Sequence, residues 1–155
     1  MEMTRREALR SAMFSSIGLM FSGAAGGAGA FLWPAKVSGF GGLVTAPVKL
    51  SEIKVGDVIP VREGKFYLTR TDDGLLALYW KCVHLGCTVP WNEAERQFKC
   101  PCHRSTYEIT GQNIAGPATR PLDLMEITVE GEQITVNTGK IRTRRVYEPE
   151  QAFRT

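Results

Sequence analysis

Cys82-Val83-His84-Leu85-Gly86-Cys87 and Cys100-Pro101-Cys102-His103-Arg104-Ser105 together hold all four cysteines and both histidines of this 155-residue chain. Thiolate and imidazole side by side are donors for a transition metal, not for calcium or magnesium. Each stretch offers one sulfur and one nitrogen at short spacing, Cys82-x-His84 in the first and Cys100-x-x-His103 in the second. Two cysteines and two histidines also suit tetrahedral zinc. Zinc fingers, however, pair cysteine with cysteine and histidine with histidine, whereas both half-sites here mix the two types. A disulfide framework using all four cysteines would leave His84 and His103 without a role. A metal centre built from two mixed loops accounts for the histidines, with structural zinc as its competitor.

Around these loops the apolar residues follow the two-residue period of strands. Lys65–Thr71 and Leu75–Trp80 flank Asp72-Asp73-Gly74, a hairpin signal, and Leu124–Val129 and Gln133–Val136 flank Glu130-Gly131-Glu132, a second one. No repeat and no long helical period follows residue 36. The pattern predicts an all-β domain, a small antiparallel β-sandwich or barrel, preceded by one helix.

That helix is read from the N-terminus. Thr4-Arg5-Arg6-Glu7-Ala8-Leu9-Arg10 has the form of a twin-arginine export signal, and an uncharged run follows it. Residues 11–33 would span ~35 Å as a helix, enough for a ~30 Å hydrocarbon core. Gly23 and Gly27 suit close packing on another membrane helix, and Trp33-Pro34 marks its far end. Arg5, Arg6 and Arg10 favour a cytoplasmic N-terminus and a domain on the outer side. Ala28-Gly29-Ala30 offers a cleavage form, so a removed signal peptide is the competing reading; span length favours a retained anchor. Residues 34–47, with Ser38-Gly39-Phe40-Gly41-Gly42, read as a flexible tether. With 43% hydrophobic residues and a formal charge of +3, the chain allows one anchor and one modest domain and has no basic stripe for nucleic acid. Arg142, Arg144 and Arg145 are expected on a solvated or membrane-facing surface.

The two loops resemble the Rieske iron–sulfur proteins, in which two cysteines ligate one iron and two histidines the other. The resemblance implies one 2Fe–2S cluster held by Cys82, His84, Cys100 and His103. It further implies a disulfide between Cys87 and Cys102, which places the chain in the high-potential branch and in an oxidising compartment. From Lys81 to about Glu126 the chain is similar to the iron–sulfur subunit of the quinol-oxidising cytochrome bc and b6f complexes, above all in Cys87-Thr88-Val89-Pro90-Trp91-Asn92-Glu93-Ala94-Glu95. Ser105 and Tyr107 match the family's hydroxyl donors to a bridging sulfide and a ligand sulfur. Gly116-Pro117-Ala118-Thr119-Arg120-Pro121-Leu122 matches its proline loop, a lid over the cluster. Arg104 stands where the family usually has glycine, and Thr119 where it often has proline.

This resemblance implies a Rieske fold divided as follows: a cytoplasmic segment 1–10, the anchor 11–33, the tether 34–47, a domain 48–145 with a cluster-binding subdomain at about 81–122, and a tail 146–155. It also implies a single-pass bacterial membrane protein with its cluster on the periplasmic or lumenal side. The expected partners are a cytochrome b-type subunit, a quinol, and a c-type cytochrome (or plastocyanin) acceptor, within a dimeric complex. The chain would be a redox subunit and not catalytic alone, with His103 as the candidate quinol contact. The Rieske small subunit of an arsenite-oxidase-like molybdoenzyme is the alternative.

Overall fold

The computed structural model describes residues 3–32 and 40–154. The chain divides into two units, residues 1–36 and 37–155.

The first unit is helix α1, Arg5–Leu32. Thr4 and Glu7 start it as a capping box: the Thr4 N–H donates to Glu7 Oε2 at 2.9 Å, and Thr4 Oγ1 accepts from the Glu7 N–H at 3.4 Å. This cap places the arginine pair in the first helical turn, so the helix begins ahead of the expected anchor. At 1.5 Å per residue α1 is roughly 42 Å long, and it is long and apolar enough to cross a membrane once. Its expected end at Trp33-Pro34 lies outside the described residues.

The second unit is antiparallel β. A six-stranded sheet has the order β1-β10-β9-β4-β3-β2, and a four-stranded sheet the order β5-β6-β7-β8. The strands are β1 Leu43–Lys49, β2 Val58–Val61, β3 Phe66–Thr71, β4 Gly74–Tyr79, β5 Trp91–Asn92, β6 Gln97–Lys99, β7 Thr106–Tyr107, β8 Asn113–Ala115, β9 Leu124–Glu130 and β10 Gln133–Arg142. Both expected hairpins are present, as β3–β4 and β9–β10.

The small sheet and its loops are positioned by β3 and β4. Successive side chains of a strand point to opposite faces, and in these strands both faces are covered. Phe66, Leu68, Leu75 and Ala77 enter a core with Val44, Val61, Met125, Ile134 and Val136. Tyr67, Leu76 and Leu78 enter another with Val89, Phe98, Tyr107, Leu122, Cys82 and Cys100. The candidate ligand cysteines are therefore packed into a core that shares its central strands with the large sheet.

Two boundaries differ from expectation. Residues 43–47 of the expected tether belong to β1, paired with β10, and bury Val44 and Ala46. The Gly41 N–H donates to Thr138 Oγ1 at 2.8 Å, fixing the chain one turn earlier; residues 34–39 lie outside the described ones. Pro47 obscures the strand in the sequence, and the register shift between Thr45 and Lys49 accommodates its missing N–H. The expected tail 146–155 is likewise part of the domain over its described residues. Phe153 exchanges both backbone hydrogen bonds with Leu75 at 2.8 and 2.9 Å, Ala152 is buried, and the Tyr147 hydroxyl donates to Asp73 at 2.6 Å.

Candidate metal centre

The first loop follows β4, whose last residue, Tyr79, stands three positions before Cys82, and the second follows β6 directly, Cys100 coming next after Lys99. Their backbones close in the same way. In the first, the Cys82 N–H donates to Cys87 O at 2.7 Å and the Gly86 N–H to Cys82 O at 2.8 Å. In the second, the Cys100 N–H donates to Ser105 O at 2.8 Å and the Arg104 N–H to Cys100 O at 3.0 Å. Each is a six-residue turn whose fifth residue has positive φ, Gly86 at 78° and Arg104 at 59°. That conformation suits glycine, which has no Cβ to clash. Arg104 adopts it at a cost, and its side chain is exposed.

Relief of that strain is measurable. Left-handed geometry costs a non-glycine residue ~1–2 kcal/mol, and glycine returns about 0.5–1 kcal/mol of it through unfolded-state entropy. Arg104→Gly is expected to stabilise the protein by about 0.5–1 kcal/mol in chemical denaturation. A loss of stability would mean that the arginine side chain makes contacts outweighing its backbone strain.

The sequence-predicted residues converge. Cys82 and Cys100 are free thiols, each 3% exposed. The rings of His84 and His103 stand edge to face with centroids 4.8 Å apart; His84 is half-buried and His103 exposed. Leu85, which follows His84 in the chain, is 70% exposed. Cys87 and Cys102 form a disulfide across the two loops, with Cα atoms 6.6 Å apart. The sulfurs of Cys87, Cys100 and Cys102 lie within 4.8 Å of one another. Two of them are committed to the disulfide, so this proximity reflects a clamp lying against Cys100 and not a three-sulfur metal site.

Two hydroxyls reach the thiols from below. Tyr107 Oη lies 3.2 Å from Cys82 Sγ. Burial, reinforced by the Cys82 sulfur, pushes the Tyr107 phenol well up, so it remains a donor at any ordinary pH. Burial pushes the Cys82 thiol up, but hydrogen bonds from Tyr107, the His84 backbone N–H, Cys100 and Ser105 outweigh it and leave the thiol below its usual value. Ser105 is fully buried, and its Oγ accepts from the Ala118 N–H at 3.1 Å. Its own hydrogen is thereby left to give.

Ala118 belongs to the lid. Gly116 has φ 87°, and a Cβ there would lie 2.5 Å from Ser105 Cα and 2.8 Å from Arg104 O. Glycine is what lets this segment, the expected lid, touch the second Cys/His loop. At the end of this segment Arg120 pairs with Asp123 and Pro121 and Leu122 are buried, while Thr119, in the proline position, is exposed. Sequence reasoning missed the Ala118 N–H and Leu85. A backbone donor carries no sequence signal, and a lone leucine reads as core.

The donor set fits a two-iron cluster: two buried thiols with hydroxyl donors aimed at sulfur, two adjacent imidazoles at the surface, and a clamp that spends the remaining cysteines. The sequence profile of the Rieske [2Fe-2S] domain matches residues 45–129. The cytochrome b6-f complex iron-sulfur subunit of Synechococcus sp. (strain JA-2-3B'a(2-13)) is 35% identical over 147 residues, covering 85% of this chain and 86% of that one. Subunit 2 of the same type from Nostoc sp. (strain PCC 7120 / SAG 25.82 / UTEX 2576) is 45% identical over 74 residues, covering 46% of this chain and 42% of that one. Among solved structures, a chain of a hyperthermophilic respiratory Complex III superposes with a TM-score of 0.51 at 30% identity, covering 77% of this chain and 98% of that one. A quaternary ammonium Rieske monooxygenase, 18% identical with a TM-score of 0.51, shares the fold over 63% of this chain and 31% of its own. This chain therefore belongs to the Rieske [2Fe–2S] family, alongside the iron–sulfur subunits of cytochrome b6-f complexes.

Proposed function

We propose that this chain is the membrane-anchored electron carrier of a quinol-oxidising cytochrome bc/b6f-type complex. It would take one electron from a quinol held by a cytochrome b-type subunit and pass it to a c-type cytochrome (or plastocyanin). The observation that carries this reading is the asymmetry of the centre: both thiols are buried, while the paired imidazoles lie at the surface beside exposed Leu85. In this proposal Cys82 and Cys100 hold one iron and His84 and His103 the other. The bound centre supplies one-electron chemistry at a potential raised by hydrogen bonds to its sulfurs.

The chain's own residues do the rest. His103, the more exposed of the two histidines, offers the ring nitrogen left free by the metal to the quinol hydroxyl and takes its proton. Ser105 and Tyr107 donate towards sulfur and favour the more negative, reduced state. Gly116, Pro117 and Ala118 keep water from the sulfur side. Leu85 gives the tip an apolar surface for reversible docking. Helix α1 is retained as the single anchor, with Arg5, Arg6 and Arg10 cytoplasmic and the domain on the outer side, where the Cys87–Cys102 disulfide persists. The arginine pair serves twin-arginine export, and the complex is dimeric.

The test is purification of the intact membrane assembly through a C-terminal tag on this chain, followed by identification of its subunits and a quinol:cytochrome c reductase assay. Co-purification of a cytochrome b-type subunit with that activity is expected. Co-purification with a molybdopterin subunit, and no quinol oxidation, would overturn the reading.

A head that docks in turn at quinol and acceptor needs a flexible connection. Replacing residues 34–39 with a rigid helical spacer is expected to slow turnover about tenfold or more with the optical spectrum unchanged, as read by reductase assay and visible circular dichroism. Normal turnover would mean a static relay.

A further inference from the structure

Arg144, expected among solvated arginines, is only 7% exposed, while Arg142 and Arg145 on either side are open to solvent. No carboxylate among the described residues forms an ion pair with it. Its guanidinium meets neutral oxygens instead. Nε donates to Leu122 O at 2.8 Å, Nη2 to Thr110 O at 2.6 Å and Nη1 to Gln151 Oε1 at 2.9 Å, and the group lies 5.7 Å from the Tyr147 ring centroid. Burying a cation without a direct ion-pair partner is costly, and the Asp123 carboxylate, paired with Arg120, acts on it only at a distance. Burial does draw its pKa down, yet only to about 10, so Arg144 stays charged at neutral pH.

Two of its three acceptors are the two ends of one segment. Residues 110 and 122 bracket β8 and the lid, and the same ends are joined by the Leu122 N–H donating to Gly111 O at 2.9 Å. Gly111 has φ 77°, and a Cβ there would stand 2.6 Å from Nη2, so the guanidinium occupies space that only glycine leaves open. The third acceptor, Gln151, lies in the C-terminal segment that Phe153 ties to β4 at Leu75. Arg144 thus ties both feet of the lid to the C-terminal segment that pairs with β4. Between those feet the lid makes its two contacts with the second ligand loop: Gly116 against the Arg104–Ser105 backbone, and the Ala118 N–H on Ser105 Oγ.

We propose that Arg144 is a positioning residue for the iron–sulfur centre. By holding residues 110 and 122 together it keeps the Ala118 N–H on Ser105 Oγ, and so keeps the Ser105 hydroxyl hydrogen directed at the sulfurs. It sets the reduction potential through Ser105 without touching the centre. An arginine is needed because three acceptors in different directions require the fixed fork of a guanidinium, which a lysine ammonium does not reproduce. The proposal rests on the cluster-carrying reading above.

The test uses the full-length holoprotein and four variants: Arg144→Met, which keeps much of the stem, Arg144→Lys, which keeps the charge, Ser105→Ala, and the Arg144→Met/Ser105→Ala pair. Potential is read by titration followed in visible circular dichroism, and lid order by hydrogen exchange of peptides covering residues 110–122. Both Arg144 variants are expected to bind the cluster, to have a lowered potential and to exchange the lid faster. In the double variant the potential is expected to equal that of Ser105→Ala alone, because the two residues act in series. Gln151→Leu, which removes one contact of three, gives a smaller shift of the same sign and serves if Arg144→Met fails to fold. Potentials at the wild-type value, full additivity with Ser105→Ala, or complete rescue by lysine would each overturn the proposal; the last would make Arg144 a distant charge. A wild-type protein without a Rieske spectrum would instead defeat the underlying reading.

Discussion

Cys100→Ala is expected to leave a protein with no Rieske optical or EPR signal and iron below about a twentieth of the wild-type content. A thiolate is a whole ligand and not a tuning contact, and Cys100 is buried among residues that offer no substitute. Of the neighbouring sulfurs, Cys87 and Cys102 are locked in the disulfide, and Cys82 is itself a proposed ligand. The large sheet has its own core of Phe66, Leu68, Leu75, Met125 and Ile134, so far-ultraviolet circular dichroism should stay β-like. The contrast is Cys87→Ser/Cys102→Ser, which removes no proposed ligand. That pair should bind iron yet lose roughly 3 kcal/mol of stability, the chain-entropy value for a loop of ~15 residues. Iron and acid-labile sulfide analysis with denaturant melts distinguishes the two. Wild-type iron in Cys100→Ala would remove Cys100 from the ligand set.

Ser105→Ala and Tyr107→Phe should keep the cluster and lower its potential. A hydrogen bond to a charged acceptor contributes ~1.5–3 kcal/mol, and part of that is common to both oxidation states. A differential of about 1–2 kcal/mol corresponds to a fall of roughly 40–90 mV for each donor, since 59 mV is tenfold for one electron. Quinol oxidation slows with the lost driving force. Tyr107→Phe has the cleaner geometry: the hydroxyl stands 3.2 Å from Cys82 Sγ, and the ring packs in a core that a phenylalanine fills equally. An unchanged potential in both variants would show that the buried hydroxyls hold the fold and leave the centre alone.

The two Cys/His loops were legible because their chemistry is local. Cysteine and histidine at CxH and CxxH spacing have few other uses, and the β3–β4 and β9–β10 hairpins announce themselves by turn residues between alternating apolar runs. What the sequence withheld depends on partners far along the chain. Val44 and Ala46 are two alternating positions beside a glycine-rich stretch, too short a pattern to read as a strand until β10 pairs with them. Arg144 sits between two solvated arginines and looks like them. Its burial depends on carbonyls at residues 110 and 122, and no periodicity encodes where those arrive. Arg104 is intermediate: the departure from glycine was visible, but its meaning required the comparison with Gly86 in the sister loop.

That sister-loop geometry bears on how fast an electron can move. Each loop is closed by its own pair of backbone hydrogen bonds, the two are joined by a disulfide, and the lid rests on one of them. Proposed ligands held in this way would have little room to relax when charge arrives or departs, which would keep the reorganisation energy of the exchange small. Transfer then depends mainly on driving force and on how closely the histidine tip approaches its partner. If the chain works as proposed, the rate of the centre would be set less by the metal site than by the docking of the head.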